Sequence, residues 1–200
     1  MRLVVGLGNP GERYARTRHN VAWRVLDELA ARGNAQPAEA GATFRARGAR
    51  YGPAGPGGQE VVLLAPLTFM NASGEAIQEW QYRHGLDAGE LLVVSDDVYL
   101  PLGTLRLRAG GSSGGHRGLE SIESTVGHRD YARLRVGVGA AESSEALKEH
   151  VLEEFAPEEM PALEEAIRRA ADAVECWLAE GTLAAMNRFN RRVRREESES

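Results

Sequence analysis

Of the five histidines, His19 stands where a loop hands over to a helix, directly after Arg16-Thr17-Arg18. At a helix N-terminus the dipole disfavours imidazolium, so this ring tends to stay neutral and able to accept a proton. A histidine that starts a helix and merely packs fits the same position, and position alone leaves the two readings level. His84, His128 and His150 have plain polar neighbours and read as surface residues. Ser95-Asp96-Asp97 follows the apolar run Leu91–Val94. Functional groups gather at the carboxyl ends of strands in open α/β sheets, which is where Asp96 and Asp97 are expected. A carboxylate there can hold a histidine in one tautomer; Asp97 reads as a turn or cap residue. Two adjacent carboxylates also invite a metal, but no HxxxH pair or further carboxylate cluster accompanies them, so no metal is expected.

Asn71, in Phe69-Met70-Asn71, lies between a strand and a helix. It suits an N-cap, and its amide could equally donate to a substrate carbonyl or orient a water. Gly6-Leu7-Gly8-Asn9-Pro10-Gly11 matches the G-x-G-x-x-G dinucleotide pattern after a strand. That pattern needs free backbone N–H groups opening directly into a helix, and Pro10 has none. Helical periodicity starts only near His19, and the acids some twenty positions on, Asp27 and Glu28, fall inside a helix. A nucleotide fold is therefore the runner-up reading for this segment.

The elements that must position these groups alternate. Strands are expected at Leu3–Leu7, Thr43–Tyr51, Glu60–Ala65, Leu91–Ser95, Thr104–Arg108 and Leu134–Gly139. Helices are expected over Asn20–Arg32, with Val21, Val25, Leu26 and Leu29 on one face, over Ser73–His84, and over Gly118–Val126. Two or three more end the fold, the longest running from Pro157 to about Glu180. Gly52–Gly58 reads as a surface hairpin loop, and Gly110–Gly115 as too flexible for helix or strand. The expected class is α/β, with a twisted, mostly parallel mixed sheet flanked by helices. One domain is expected over residues 1–190, followed by a disordered charged tail over 191–200.

The chain has 200 residues, 42% hydrophobic and 26% charged, ordinary values for a soluble globular protein. No membrane span or signal peptide is visible, and cytoplasm is the expected compartment. Cys176, the only cysteine, excludes an internal disulfide and a thiolate-rich metal site. The net charge of −5 excludes a wholesale basic coat. Arg188, Arg191, Arg192, Arg194 and Arg195 nevertheless crowd the C-terminus, and a local basic patch can bind RNA on an acidic protein.

Taken together the motifs resemble the bacterial peptidyl-tRNA hydrolase family. Val5-Gly6-Leu7-Gly8-Asn9-Pro10-Gly11 with Tyr14 and Thr17-Arg18-His19-Asn20 is similar to its opening signature, and Thr68-Phe69-Met70-Asn71-Ala72-Ser73-Gly74 to its second. Gly114-Gly115-His116 followed by Gly118-Leu119 resembles a third, and Arg133-Leu134-Arg135-Val136-Gly137-Val138-Gly139 a fourth. The resemblance implies a monomer that hydrolyses the ester between peptide and tRNA, recycling tRNA from stalled or aborted translation, with no cofactor. By motif it implies His19 as general base, Asp96 as the group orienting it, and Asn9 and Asn71 as amides binding the peptide and the reacting carbonyl. Tyr14 would line the cleft, His116 would sit in a loop closing over it, and Arg106 and Arg135 would clamp the tRNA 5′ phosphate. The C-terminal arginines would either add backbone contacts or form a solvated tail.

Two departures stand out. The family commonly has Asn after Gly-Gly-His, where this chain has Arg117, expected on a mobile lid and able to contact a phosphate or the terminal ribose. The stretch Asp97-Val98-Tyr99-Leu100 lacks a second acid often found near there. The competing class is a non-catalytic RNA-binding protein on the same fold.

Overall fold

The computed structural model describes residues 1–50, 60–140 and 146–190. The hairpin loop expected at Gly52–Gly58 and the charged tail expected over 191–200 lie outside them, as do four of the C-terminal arginines. The strands are β1 (Arg2–Gly6), β2 (Gln36–Ala40), β3 (Phe44–Arg50), β4 (Glu60–Pro66), β5 (Leu91–Asp97), β6 (Leu105–Arg108) and β7 (Ala132–Gly137). The helices are α1 (Val21–Arg32), α2 (Ser73–His84), α3 (Arg117–Val126), α4 (Leu147–His150), α5 (Met160–Glu180) and α6 (Thr182–Phe189).

All seven strands join one sheet in the order β2-β3-β4-β1-β5-β7-β6. The central four run parallel, β4 beside β1, β1 beside β5 and β5 beside β7, while β2, β3 and β6 add antiparallel edges. Strands buried on both faces need continuous apolar runs, which residues 3–5 of β1 and 91–94 of β5 supply. Leu3, Val5, Leu91 and Val93 pack toward Ile77 and Trp80 of α2 and Leu119 and Ile122 of α3. Val4, Leu92 and Val94 pack toward Val25 and Leu29 of α1 and Ala170 and Val174 of α5. The result is the expected α/β class: one mixed sheet between two helical layers.

Three local expectations change. β2 was not expected, because Gln36-Pro37-Ala38-Glu39-Ala40 carries no alternating apolar pattern and is almost wholly exposed. It is held as an edge by pairing with β3, with a register shift between Pro37 and Glu39 where proline lacks a donor. β5 runs two residues past Ser95, because Asp96 and Asp97 still pair with Val136 and Gly137 of β7. The helix expected from Pro157 instead opens with a 3₁₀ turn, Pro157–Glu159, and α5 starts at Met160. Since the chain leaves β1 for β4 on one side and returns to β5 on the other, the carboxyl ends of β1 and β5 flank a crevice.

Candidate active site

Asp96, 1% exposed at the end of β5, is the centre of the crevice. His19 Nδ1 lies 2.7 Å and His116 Nε2 2.8 Å from the same oxygen, Asp96 Oδ1. Burial alone would raise the carboxyl's pKa, but the ring N–H groups that His19 and His116 direct at it outweigh burial and hold Asp96 well below the usual carboxylate range. An ionised carboxylate only accepts, so both rings donate to it. His116 caps α3: its Nδ1 accepts the backbone N–H groups of Gly118 (3.1 Å) and Leu119 (3.3 Å). That ring is therefore the neutral Nε2–H tautomer. His19 carries its proton on Nδ1, which leaves Nε2 with a free lone pair, and among the described residues nothing bonds to it. The three groups also form a set that could hold a metal ion, since their ligand atoms lie within 4.8 Å of one another. Those same atoms make the two hydrogen bonds, and His116 Nε2 must keep its proton while Nδ1 caps the helix, so the set does not fit a metal in this tautomeric state.

His19 occupies a 3₁₀ turn, Arg18–Asn20, that leads into α1. Both of its neighbours are buried and clamped. Arg18 makes a two-pronged ion pair with Glu159 (3.0 and 2.7 Å), donates to Val138 O at 2.8 Å, and lies over the Phe155 ring. Asn20, 0% exposed, accepts from Asn9 N and donates to Asn9 O, both at 2.9 Å. Main-chain bonds from Arg18 N to Glu153 O and from His19 N to Val151 O tie the same strap to the segment after α4. Asn9 in turn accepts Met70 N on Oδ1 at 2.8 Å, which orients its amide nitrogen as an unengaged donor beside His19. Sequence reasoning placed Arg18 and Asn20 in a motif but gave them no role; the available signal was a charged and an amide residue abutting the apolar face of α1.

Two adjoining hollows meet at His19. One is lined by Asp96, Tyr99, His116, Arg117, Arg135 and Lys148 among others, the second by Asn9, Tyr14, Phe69, Asn71, Arg117 and Lys148 among others. Asn9, Tyr14, His19, Asn71, Asp96, His116, Arg117 and Arg135 are thus brought together. Phe69, 55% exposed, meets the Tyr14 ring edge-on at 6.3 Å and gives the second hollow an apolar wall that sequence reasoning missed.

Several expectations are corrected. Asn71 caps no helix: it sits inside the 3₁₀ turn Met70–Ala72, and its exposed side chain makes no hydrogen bond within the described residues. His116 ends the glycine loop as the N-cap of α3, with both nitrogens engaged, and Arg117 begins α3 instead of riding on that loop. Arg135 lies 3.1 Å from Asp97 Oδ2, while Asp97 Oδ1 accepts Tyr99 N, so Asp97, the last residue of β5, fastens the turn that follows and also holds an arginine. Arg106, opposite Arg135 across the β6–β7 pair, is exposed and unpaired among the described residues. His150 is half-buried, with Nε2 3.0 Å from Gly139 O, not a plain surface residue. The glycine pattern has a packing cause. A Cβ at Gly6 would strike Leu26 and Ala22, one at Gly8 would strike the Trp23 ring, and Trp23 Nε1 donates to Gly6 O. α1 can approach the end of β1 only over bare backbone.

A histidine fixed through one ring nitrogen by a buried carboxylate, beside an oriented amide donor at the carboxyl ends of parallel strands, marks an α/β enzyme equipped for general-base chemistry on a carbonyl. The chain belongs to the peptidyl-tRNA hydrolase family, whose model matches residues 3–198. It is 46% identical over 193 residues to the peptidyl-tRNA hydrolase of Chloroflexus aggregans, covering 95% of this chain and 99% of that one. To that of Syntrophomonas wolfei it is 42% identical over 190 residues, covering 95% and 100%. The crystal structure of peptidyl-tRNA hydrolase from Acinetobacter baumannii matches with a TM-score of 0.85 at 31% identity, over 95% of this chain and 94% of that one.

Proposed function

We propose that this chain hydrolyses the ester between the peptide and the 3′ ribose of peptidyl-tRNA, freeing tRNA from stalled or aborted translation. The observation that carries the reading is the Asp96 Oδ1–His19 Nδ1 bond, which leaves the second ring nitrogen of His19 as the free base. His19 Nε2 removes a proton from water as the oxygen attacks the ester carbonyl. Asp96 stabilises the imidazolium that forms. Asn9 Nδ2, with Asn71, donates to the developing oxyanion. The C–O ester bond then breaks, and the proton on His19 passes to the departing ribose oxygen. His116 donates to the same oxygen of Asp96, and Tyr14 with Phe69 forms the apolar wall for the peptide.

Arg106 and Arg135 fit a phosphate of the tRNA. Arg106 is exposed and unpaired among the described residues, next to Arg135 across the β6–β7 pair, and phosphate contacts would position the tRNA without reading its bases. Family membership and the intact base, carboxylate and amides disfavour the alternative of a non-catalytic RNA binder. Among the described residues no helix is long and apolar enough to cross a membrane. The rest of the reading is a monomer working in the cytoplasm, with one domain through residue 190. Single-turnover hydrolysis of a defined peptidyl-tRNA tests it. The wild type should release free tRNA, and His19→Ala should not, while still binding tRNA. Binding without release by the wild type would restore the RNA-binding alternative.

A further inference from the structure

Arg117 and Lys148 come from different helices, α3 and α4, yet both line the two hollows that meet at His19. Both are exposed, and neither has a hydrogen bond or ion pair among the described residues. Among the described residues the carboxylates in those hollows are Asp96 and Asp97, each buried, the first engaged with His19 and His116 and the second with Tyr99 N and Arg135. Two cations that, among the described residues, face no free acid make a positive field at the mouth. The field has a direction. On the far side of Arg117 a third groove, along α2 and α3, carries Glu75 and Glu120, and no salt bridge joins either to Arg117. On the near side, the hollow shared with Asp96 contains Arg135 and an apolar wall of Val98, Tyr99, Leu147 and Val151. An anion is therefore disfavoured toward Glu75 and Glu120 and favoured in the hollows that meet at His19.

We infer that Arg117 and Lys148 form an anion site for the phosphodiester joining the last two nucleotides of the substrate, separate from the phosphate at Arg106 and Arg135. The inference rests on the hydrolase reading above. That phosphodiester is the fixed negative charge nearest the scissile ester in any peptidyl-tRNA, one ribose away, whereas peptide side chains vary. The peptide then leaves along Asn71 toward the acid-rimmed groove. Arginine at position 117 is what permits this, because its five donors suit phosphate oxygens and it has no acceptor for a water.

The test compares two small esters, N-acetylglycyl-adenosine and N-acetylglycyl-cytidylyl-(3′→5′)-adenosine, acylated on the terminal ribose. The wild type should prefer the dinucleotide ester in kcat/KM, chiefly through KM, and a neutral methylphosphonate linkage should erase the preference. Arg117→Asn and Lys148→Ala should each reduce the ratio between the two esters by about tenfold, the scale of one charge-assisted contact. An unchanged ratio in both variants would overturn the site. So would a preference that survives the methylphosphonate, since stacking of cytidine would then be responsible. A loss specific to an N-acetylaspartyl-adenosine ester would overturn it in favour of a peptide carboxylate. Failure of the wild type to cleave either ester or peptidyl-tRNA itself would instead sink the hydrolase reading, which the other outcomes leave standing.

Discussion

On the side of the cleft formed by His19, Asp96 and His116, all the ring nitrogens but one are engaged in hydrogen bonds, and the flanking Arg18 and Asn20 are buried and clamped. On the facing side, Asn71, Arg117 and Lys148 are exposed and, among the described residues, bound to nothing. The reacting group has to be held in one tautomer and one orientation before substrate arrives, because reorganisation during the reaction adds to the barrier. Groups that grip a long, variable substrate gain by staying available. The single exception on the fixed side is His19 Nε2, and that vacancy is the chemistry.

The largest effect should come from removing that one free nitrogen. His19→Ala is expected to lower turnover by ~10²–10⁴-fold with tRNA affinity unchanged, measured by single-turnover hydrolysis alongside filter binding. Near-wild-type turnover would erase the distinction between the two sides.

Asp96→Asn should follow, with turnover lower by on the order of 10²-fold or more, because a neutral amide cannot stabilise imidazolium as a carboxylate does. It also separates stability from catalysis. Asp96 is held below its usual range in the folded protein, so its contribution is fully present above the unfolded carboxylate range and fades as pH falls beneath it. Denaturation midpoints of wild type and Asp96→Asn should therefore differ by a constant amount above about pH 5 and converge in stronger acid. A gap that widened in acid would contradict that charge state.

Asn20→Ala sharpens the role of the clamps. It strands the buried N–H and C=O of Asn9 and should cost ~1–3 kcal/mol for each group left unpaired. Turnover should fall more than KM changes, since Asn9 and His19 lose their common support. Stability lost with kinetics intact would make the clamp purely structural.

Arg106→Ala, on the available side, should be the mildest. Binding of tRNA should weaken several-fold, and the slope of log affinity against log salt should flatten by roughly one. A change in turnover on a short ester without a tRNA body would move Arg106 from the gripping side to the reacting side.

Much of this molecule follows from local sequence. The continuous apolar runs of β1 and β5, the 3.6-residue stripe of α1, and the punctuating glycines each act through near neighbours, so their elements were legible. His19 at a helix entry and Asp96 at a strand's carboxyl end were legible for the same reason, and Pro10 argued against a nucleotide cradle before Trp23 and Leu26 were seen against the glycines. What the tertiary structure decided is which atoms meet. His19 and Asp96 lie 77 residues apart, and nothing local says that His116 shares the same oxygen or that capping α3 fixes its tautomer. Pairing with β3 makes a strand of the polar segment at Gln36–Ala40, and the register of β7 against β5 sets Arg135 beside Asp97. Periodicity reports which face of an element is buried; sheet order and register, set by the packing of the whole core, decide what that face touches.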